Sequence, residues 1–305
     1  MKKLLLDIYH KTLNPEIGQV VVLRRIGKHD PYRSDSVEEL KVSIDWLQQY
    51  VDEHRDSHDF ISLDDLHKRL HTFNCRKRPF ICFTIDDGYR DNLIEGLPFF
   101  EKNNIPFAVF VTTNFIEKQY PFNWPFIIER MIKDNTSMHV AGKCYDCSSE
   151  TAKNQTFWDL RTMILSWDQV GLEERFIREF DSYNKEKYWE DITMNWDEVC
   201  QLSNSPLCTI GSHCVTHCKT KYMADRDILQ EFKQSKTIIE ENISKDIKYI
   251  SYPFGTQSDI CPEVAIAAKT AGYQLGFSVN GTLRQRVNRY LIPRISLNER
   301  KSIRI

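Results

Sequence analysis

An α/β fold built on a parallel sheet is the class this sequence predicts, and three observations predict it. Short β-rich runs alternate along the chain with longer segments of 3.6-residue apolar spacing, the pattern of strands joined by crossover helices. The 305 residues are 41% hydrophobic and 28% charged, which excludes disorder, collagen-like repeats and a coiled coil. The longest uninterrupted apolar runs, Phe107 to Val111 and Val264 to Ala268, are five residues, against the roughly 20 needed to cross a bilayer. No transmembrane segment is expected. Length alone is compatible with two domains or one large α/β barrel.

The elements follow in order. Val20 to Leu23 is a branched apolar run and reads as the first strand. Val37 to Tyr50 and Leu63 to Phe73 carry helical spacing, the second opening on Asp64-Asp65 behind Ser62, a solvated helix start. Phe80 to Ile85 is a strand, Leu93 to Lys102 a helix closed off by Pro106, and Phe107 to Val111 a strand. From about Tyr120 to Asn195 the rhythm breaks: the pattern is aromatic and helical, with Trp124, Trp158 and Trp167, and shows no convincing strand. We read 120–195 as a helical insertion between two strands. Beyond it come strand Cys208 to Ser212, helix Asp225 to Asn242, strand Tyr249 to Tyr252, helix Pro262 to Ala271, and strand Leu275 to Ser278. Pro262 suits a first helical turn and Gly272 a helix C-terminus.

Charge and motifs then exclude function classes. The 41 Lys plus Arg nearly balance 43 Asp plus Glu, for a net charge of −2, so no global field favours nucleic acid as a partner. Neither the dinucleotide fingerprint, the P-loop, a Gly-x-Ser-x-Gly elbow nor His-Glu-x-x-His occurs. Lys2 and Lys3 precede only Leu4, Leu5 and Leu6 before Asp7, too short for an export signal. With nine scattered cysteines, this leads us to expect reduced thiols and a cytoplasmic protein.

Two constellations carry chemistry. Thr84-Ile85-Asp86-Asp87-Gly88 ends an apolar strand in paired carboxylates, where barrel enzymes place functional side chains; the plainer reading of Asp-Asp is a helix cap. Gly211-Ser212-His213-Cys214-Val215-Thr216-His217 again follows a strand, and residues four apart on a helical turn would aim two imidazoles at one cation. His54/His58 and His67/His71 share the spacing but sit among charged residues and read as exposed helix histidines. Together the two strand-end motifs offer one carboxylate and two imidazoles with a position left for water, a catalytic metal site. Imidazole favours zinc over magnesium or calcium, and the second aspartate is placed to act as a base.

Thr-Ile-Asp-Asp-Gly, Ser-His-Cys-Val-Thr-His and Ser251-Tyr252-Pro253-Phe254-Gly255 together resemble the successive signature motifs of polysaccharide deacetylases, carbohydrate esterase family 4, also called the NodB homology domain. Met194-Asn195-Trp196-Asp197-Glu198-Val199 and Pro293-Arg294-Ile295 are similar to members associated with surface-polysaccharide synthesis. The resemblance spans about Ser36 to Leu297. It implies a distorted (β/α) barrel of about seven parallel strands, one domain over 1–305, and metal-dependent hydrolysis of an N-acetyl group from an amino sugar. It implies Asp86 as general base, Asp87, His213 and His217 as ligands of one divalent metal, zinc, and the backbone N–H of Phe254 as an oxyanion donor. Tyr252, Pro253 and Trp124 are the expected substrate contacts. The expected partner is an N-acetylated sugar or glycan precursor, because a cytoplasmic enzyme meets its substrate before export.

The sequence departs from the family at two places. The arginine that members place shortly before the motif proline is missing here, and Arg294, ahead of Arg90, is the expected substitute. No histidine follows His217 to protonate the leaving amine, and where surface-polysaccharide members often carry a histidine after an early strand, this chain has Arg24, which cannot act as an acid at neutral pH. Asp86, His29 or a residue of the insertion would have to supply the proton. These departures support an alternative, a catalytically silent barrel that binds a glycan or an assembly partner. A third reading, amide hydrolysis on a non-sugar substrate, uses the same site. A rival metal site would gather Cys144-x-x-Cys147 with Cys208, Cys214 or Cys218 into a structural zinc centre.

Overall fold

The computed structural model describes residues 16–30, 33, 35–71, 78–118, 124–167, 171–181, 183–188, 191–279 and 281–299. The expectations about residues 2–7, and about the ends of the segments at Phe73 and Tyr120, lie outside the described residues. In chain order the strands are β1 (Glu16–Leu23), β2 (Arg25–Ile26), β3 (Lys41–Val42), β4 (Asp59–Phe60), β5 (Phe80–Asp87), β6 (Phe107–Val111), β7 (Ser137–Val140), β8 (Lys143–Asp146), β9 (Cys208–Ser212), β10 (Tyr249–Ser251), β11 (Leu275–Phe277), β12 (Leu283–Arg284) and β13 (Ile295–Ser296). The main sheet runs β11-β10-β9-β6-β5-β1-β12, with β4 against β5 and β13 against β1. All of its pairings are parallel except β1 with β12.

A distorted (β/α) barrel results because the last part of the chain closes the sheet. Ile292 bridges Phe277 of β11 in parallel, and three residues on, β13 pairs Val21 and Val22 of β1. One extended segment thus spans the gap between the two ends of the parallel set. Along the strands the side chains divide by the two-residue period. Val21, Ile81, Phe83, Ile85, Val109 and Val111 pack outward against helix residues such as Leu47, Phe100, Phe232 and Ile239. Val20, Phe80, Cys82, Ala108, Phe110, Tyr249, Leu275 and Phe277 fill the interior. Thr84 and Asp86 share the phase of Phe80 and Cys82, so the sequence places them at the top of the inner column.

Three expected elements differ in form. The segment Val37 to Tyr50 is not one helix: a short turn Asp35–Glu38 leads into β3, and the helix proper is Ile44–Arg55. Ser43 forces the break, since its extended backbone and side-chain oxygen cap the Trp46 N–H. The region 120–195 does contain strands, the antiparallel hairpin β7–β8. Its turn has Ala141 and Gly142 both at positive φ, 50° and 75°, the backbone of a type I′ turn without the usual Asn-Gly signature. Around the hairpin, the helices Trp124–Asp134 and Glu150–Ser166 and residues such as Phe176 and Phe180 form a second apolar cluster, which Tyr89 joins from the barrel side. Pro262 lies in the turn before its helix, which starts at Val264.

Candidate active site

Asp86 is the best-anchored carboxylate in the barrel. Arg294, fully buried in the closing segment, donates from Nη1 to Asp86 Oδ1 at 2.8 Å and from Nη2 to Oδ2 at 2.7 Å. The same guanidinium donates to Thr84 Oγ1, to Ser251 Oγ and to the Ser278 carbonyl. Its fork geometry is therefore fully used, with every partner a barrel strand or strand end. Burial works to raise the Asp86 pKa, but the charge and hydrogen bonds of Arg294, helped by His213, outweigh it and hold the carboxyl below its ordinary value. Arg90 lies elsewhere, paired with Glu198 and Asp191. Ser251 occupies the place where the family's arginine was expected, and its hydroxyl receives the arginine that arrives instead from residue 294.

Asp87 faces a different pair of groups. His213 Nε2 lies 3.3 Å and His217 Nε2 3.2 Å from Asp87 Oδ1. These ligand atoms form a group within 4.8 Å of one another, the only such cluster among the described residues. His213 Nδ1 donates to the Ser251 carbonyl at 2.8 Å; a carbonyl can only accept, so in the neutral ring Nε2 carries the lone pair. Asp87 Oδ1 is buried and accepts no hydrogen bond. An orphaned carboxylate oxygen flanked by two imidazole nitrogens fits a borderline divalent cation. Burial lowers the His217 pKa and keeps that ring in the neutral form a ligand needs. Burial opposes ionisation of Asp87, and a positive charge at this spot, carried by protonated His213 and His217 when no cation is bound, holds its carboxyl well below the usual range.

The histidines meet by a route other than a shared helical face. Residues 213–217 form a non-helical bend with Cys214 at φ 64° and His217 at φ 58°. Glu231 of the helix Asp225–Ile243 ties the bend down, accepting from the Val215 and Thr216 backbone N–H groups and from the Thr216 hydroxyl. Asp87 (φ 80°) and Phe254 (φ 60°) are also left-handed, so four of the eight left-handed non-glycine residues among the described residues converge here. Gly88, at φ 83°, completes the sharp exit from β5.

Asp87, His217, Phe254 and Trp124 line one cavity of about 250 Å³. The Phe254 ring lies 4.9 Å from the His217 ring. Tyr252 does not reach this cavity: it is fully buried, stacks on Phe232 and donates its hydroxyl to the Tyr290 carbonyl, because the alternation of β10 turns it towards the packed side. Pro253 is buried in the turn beside it. His29, a candidate acid, lies between Glu38 and Glu299 and is not among the cavity residues. The cysteine centre does not form among the described residues: Cys144 is exposed on the hairpin, whereas Cys208, Cys214 and Cys218 lie at and beyond β9. Sequence reasoning missed the cavity walls Arg24, Tyr89, Phe115, Phe157 and Arg161, and the anchor Glu231. Only Arg24 had a signal, its place just after β1.

The profile of the polysaccharide deacetylase family matches residues 73–166 and 179–276, and no curated protein matches the chain in sequence. Among solved structures, the chain is similar to the Streptococcus pyogenes deacetylase PplD (TM-score 0.61, 13% identity, 92% of each chain covered). It is likewise similar to IcaB from Ammonifex degensii (0.57, 15%, 94% of each). A third is the BpsB deacetylase domain from Bordetella bronchiseptica (0.54, 14%, 93% of this chain and 97% of that one). At such identities the shared feature is the fold, whereas the profile match takes in Asp86, Asp87, His213, His217 and Phe254. A barrel with this site, matched over well more than half its length, belongs to the polysaccharide deacetylase family.

Proposed function

We propose that this protein removes the N-acetyl group from an amino sugar in a surface-polysaccharide or lipopolysaccharide precursor, with one divalent cation, zinc, held by Asp87, His213 and His217. When bound, such a cation would polarise the acetamide carbonyl and favour ionisation of water. Asp86 takes the proton of the attacking water. Because Arg294 keeps its pKa low, Asp86 is a weak base but a strong acid once protonated, and it passes that proton to the departing nitrogen, which needs no late histidine. The backbone N–H of Phe254, a residue of the cavity wall, would donate to the developing oxyanion. Trp124 and Phe157 wall the sugar. The buried thiols Cys82 and Cys214 favour a reducing, cytoplasmic setting, and PplD, a similar protein, is described in complex with acetate, the product this reaction releases.

The carrying observation is the side-by-side arrangement of an arginine-clamped Asp86 and an unpartnered Asp87 oxygen between two imidazoles. Acetate release from a panel of N-acetylhexosamine donors, with and without chelator and beside Asp86→Asn, tests it. We expect the chelator to abolish turnover and the substitution to lower it by at least about 100-fold. Acetate release indifferent to both would sink the mechanism. One observation favours a silent glycan-binding barrel instead: among the described residues, His217, a ligand candidate, is the sole histidine lining the cavity. Glycan binding without turnover in zinc-loaded protein would select that reading.

A further inference from the structure

Two guanidinium groups enter the cavity from distant parts of the chain. Arg24 follows β1, with its Nε 3.9 Å from Asp87 Oδ2 and its side chain 28% exposed. Arg161 comes from the insertion helix Glu150–Ser166 and lines the same cavity. Other arginines near the site are committed: Arg294 to Asp86, Arg25 to Asp91, Arg90 to Glu198. Arg161 packs on an aromatic ring, its guanidinium carbon 5.3 Å from the Trp158 ring centre, while Glu39 and Asp259 attract it through their charge. Burial lowers the Arg161 pKa, while attraction to Glu39 and repulsion from Arg24 act on it in opposite directions; the two guanidinium groups line one cavity and lie within electrostatic reach of each other.

Charge decides what such a pair would bind. Arg24 and Arg161 are balanced within the cavity by Asp87 and Glu39, but a divalent cation on Asp87 would leave the cavity net positive. A neutral sugar can accept hydrogen bonds from a guanidinium but offers no negative charge to offset this. A carboxylate is matched by one guanidinium fork. A phosphoryl group, with up to two negative charges and three acceptor oxygens, is matched by two forks arriving from separate elements. We propose that Arg24 and Arg161 bind a phosphoryl group carried by the substrate, so that the N-acetylated sugar is processed as a glycosyl phosphate or diphosphate and not as a neutral glycan chain. The inference rests on the deacetylase reading for the sugar, and on the two arginines for the phosphate.

The test is calorimetric and needs no turnover. Zinc-loaded full-length protein is titrated with glucosamine 1-phosphate and galactosamine 1-phosphate, and with the two free amino sugars. At least one phosphorylated sugar should bind tenfold or more tightly than its free counterpart. Arg161→Gln should weaken that binding about 10- to 100-fold, the scale of lost charge-assisted hydrogen bonds, while changing free-sugar binding less than about twofold. Arg161→Lys, which keeps the charge, should recover part of the loss and guard against misfolding as the cause. Equal binding, or no binding, of phosphorylated and free sugars overturns the proposal, as does an Arg161→Gln effect equal on both. Phosphate-selective binding without acetate release from any donor counts against deacetylation alone; acetate release with no preference for phosphate counts against this inference alone.

Discussion

Arg294 sets the chemistry of Asp86 through a buried, two-pronged contact. The sign of its effect on stability follows from the depressed carboxylate pKa. Folding favours the ionised form, so this contribution is complete above the unfolded value of roughly 3.9 and is lost as pH falls through the lower folded value. Replacing Arg294 by Gln leaves Asp86 buried without its counter-ion. We expect a destabilisation of about 3–5 kcal/mol, read as a lower denaturant midpoint at pH 7. The acid limb of kcat/KM should also move to higher pH, because the base then ionises later. An unmoved acid limb would show that Arg294 does not govern the base. The position of Arg294 after a late proline made it the better candidate over Arg90, whereas its hydroxyl partners Thr84 and Ser251 became visible only once three strands were side by side.

At the scale of elements, the bend 213–217, tied down by Glu231, brings the two imidazoles of the proposed cation site together. Burial raises the Glu231 pKa, while the Thr216 and Val215 donors pull the other way; its carboxylate is the partner of backbone groups that would otherwise be orphaned. Glu231→Ala should lower zinc affinity about 10- to 100-fold in a competition titration with a chelating dye, the usual effect of losing a group that orients ligands. Wild-type affinity in that variant would remove Glu231 from the site. The strands were legible because runs such as Phe80 to Ile85 and Phe107 to Val111 are apolar on both faces. The bend was not: an i, i+4 spacing reads as a helix, and nothing local announces that Cys214 and His217 adopt left-handed backbone. The hairpin β7–β8 was hidden for a related reason, its turn being Ala-Gly, and the break at Ser43 because helical spacing continues across it. Arg161 was illegible as a cavity residue, since its place depends on how the insertion folds onto the barrel.

For the molecule as a whole, two apolar clusters divide the labour. The barrel cluster is wound around long parallel ladders, β1 with β5, β5 with β6 and β6 with β9, whereas the insertion is held by helices packed on one another and the four-residue strands of its hairpin. Amide hydrogen exchange should therefore find β5 and β6 protected to the level of global unfolding and β7–β8 opening at lower free energy. Equal protection in both regions would mean that they unfold as one unit. The closing segment Ile292–Ser296 has a different consequence. Chains are made from the N-terminal end and fold in that direction, so Asp86, His213 and His217 all emerge well before Arg294. Until the last strand seats against β1, the base lacks its counter-ion and the barrel lacks its seam. On the proposed mechanism, completion of the fold and ignition of the chemistry are one event, and a nascent or partly closed chain would carry the proposed metal ligands without a competent base.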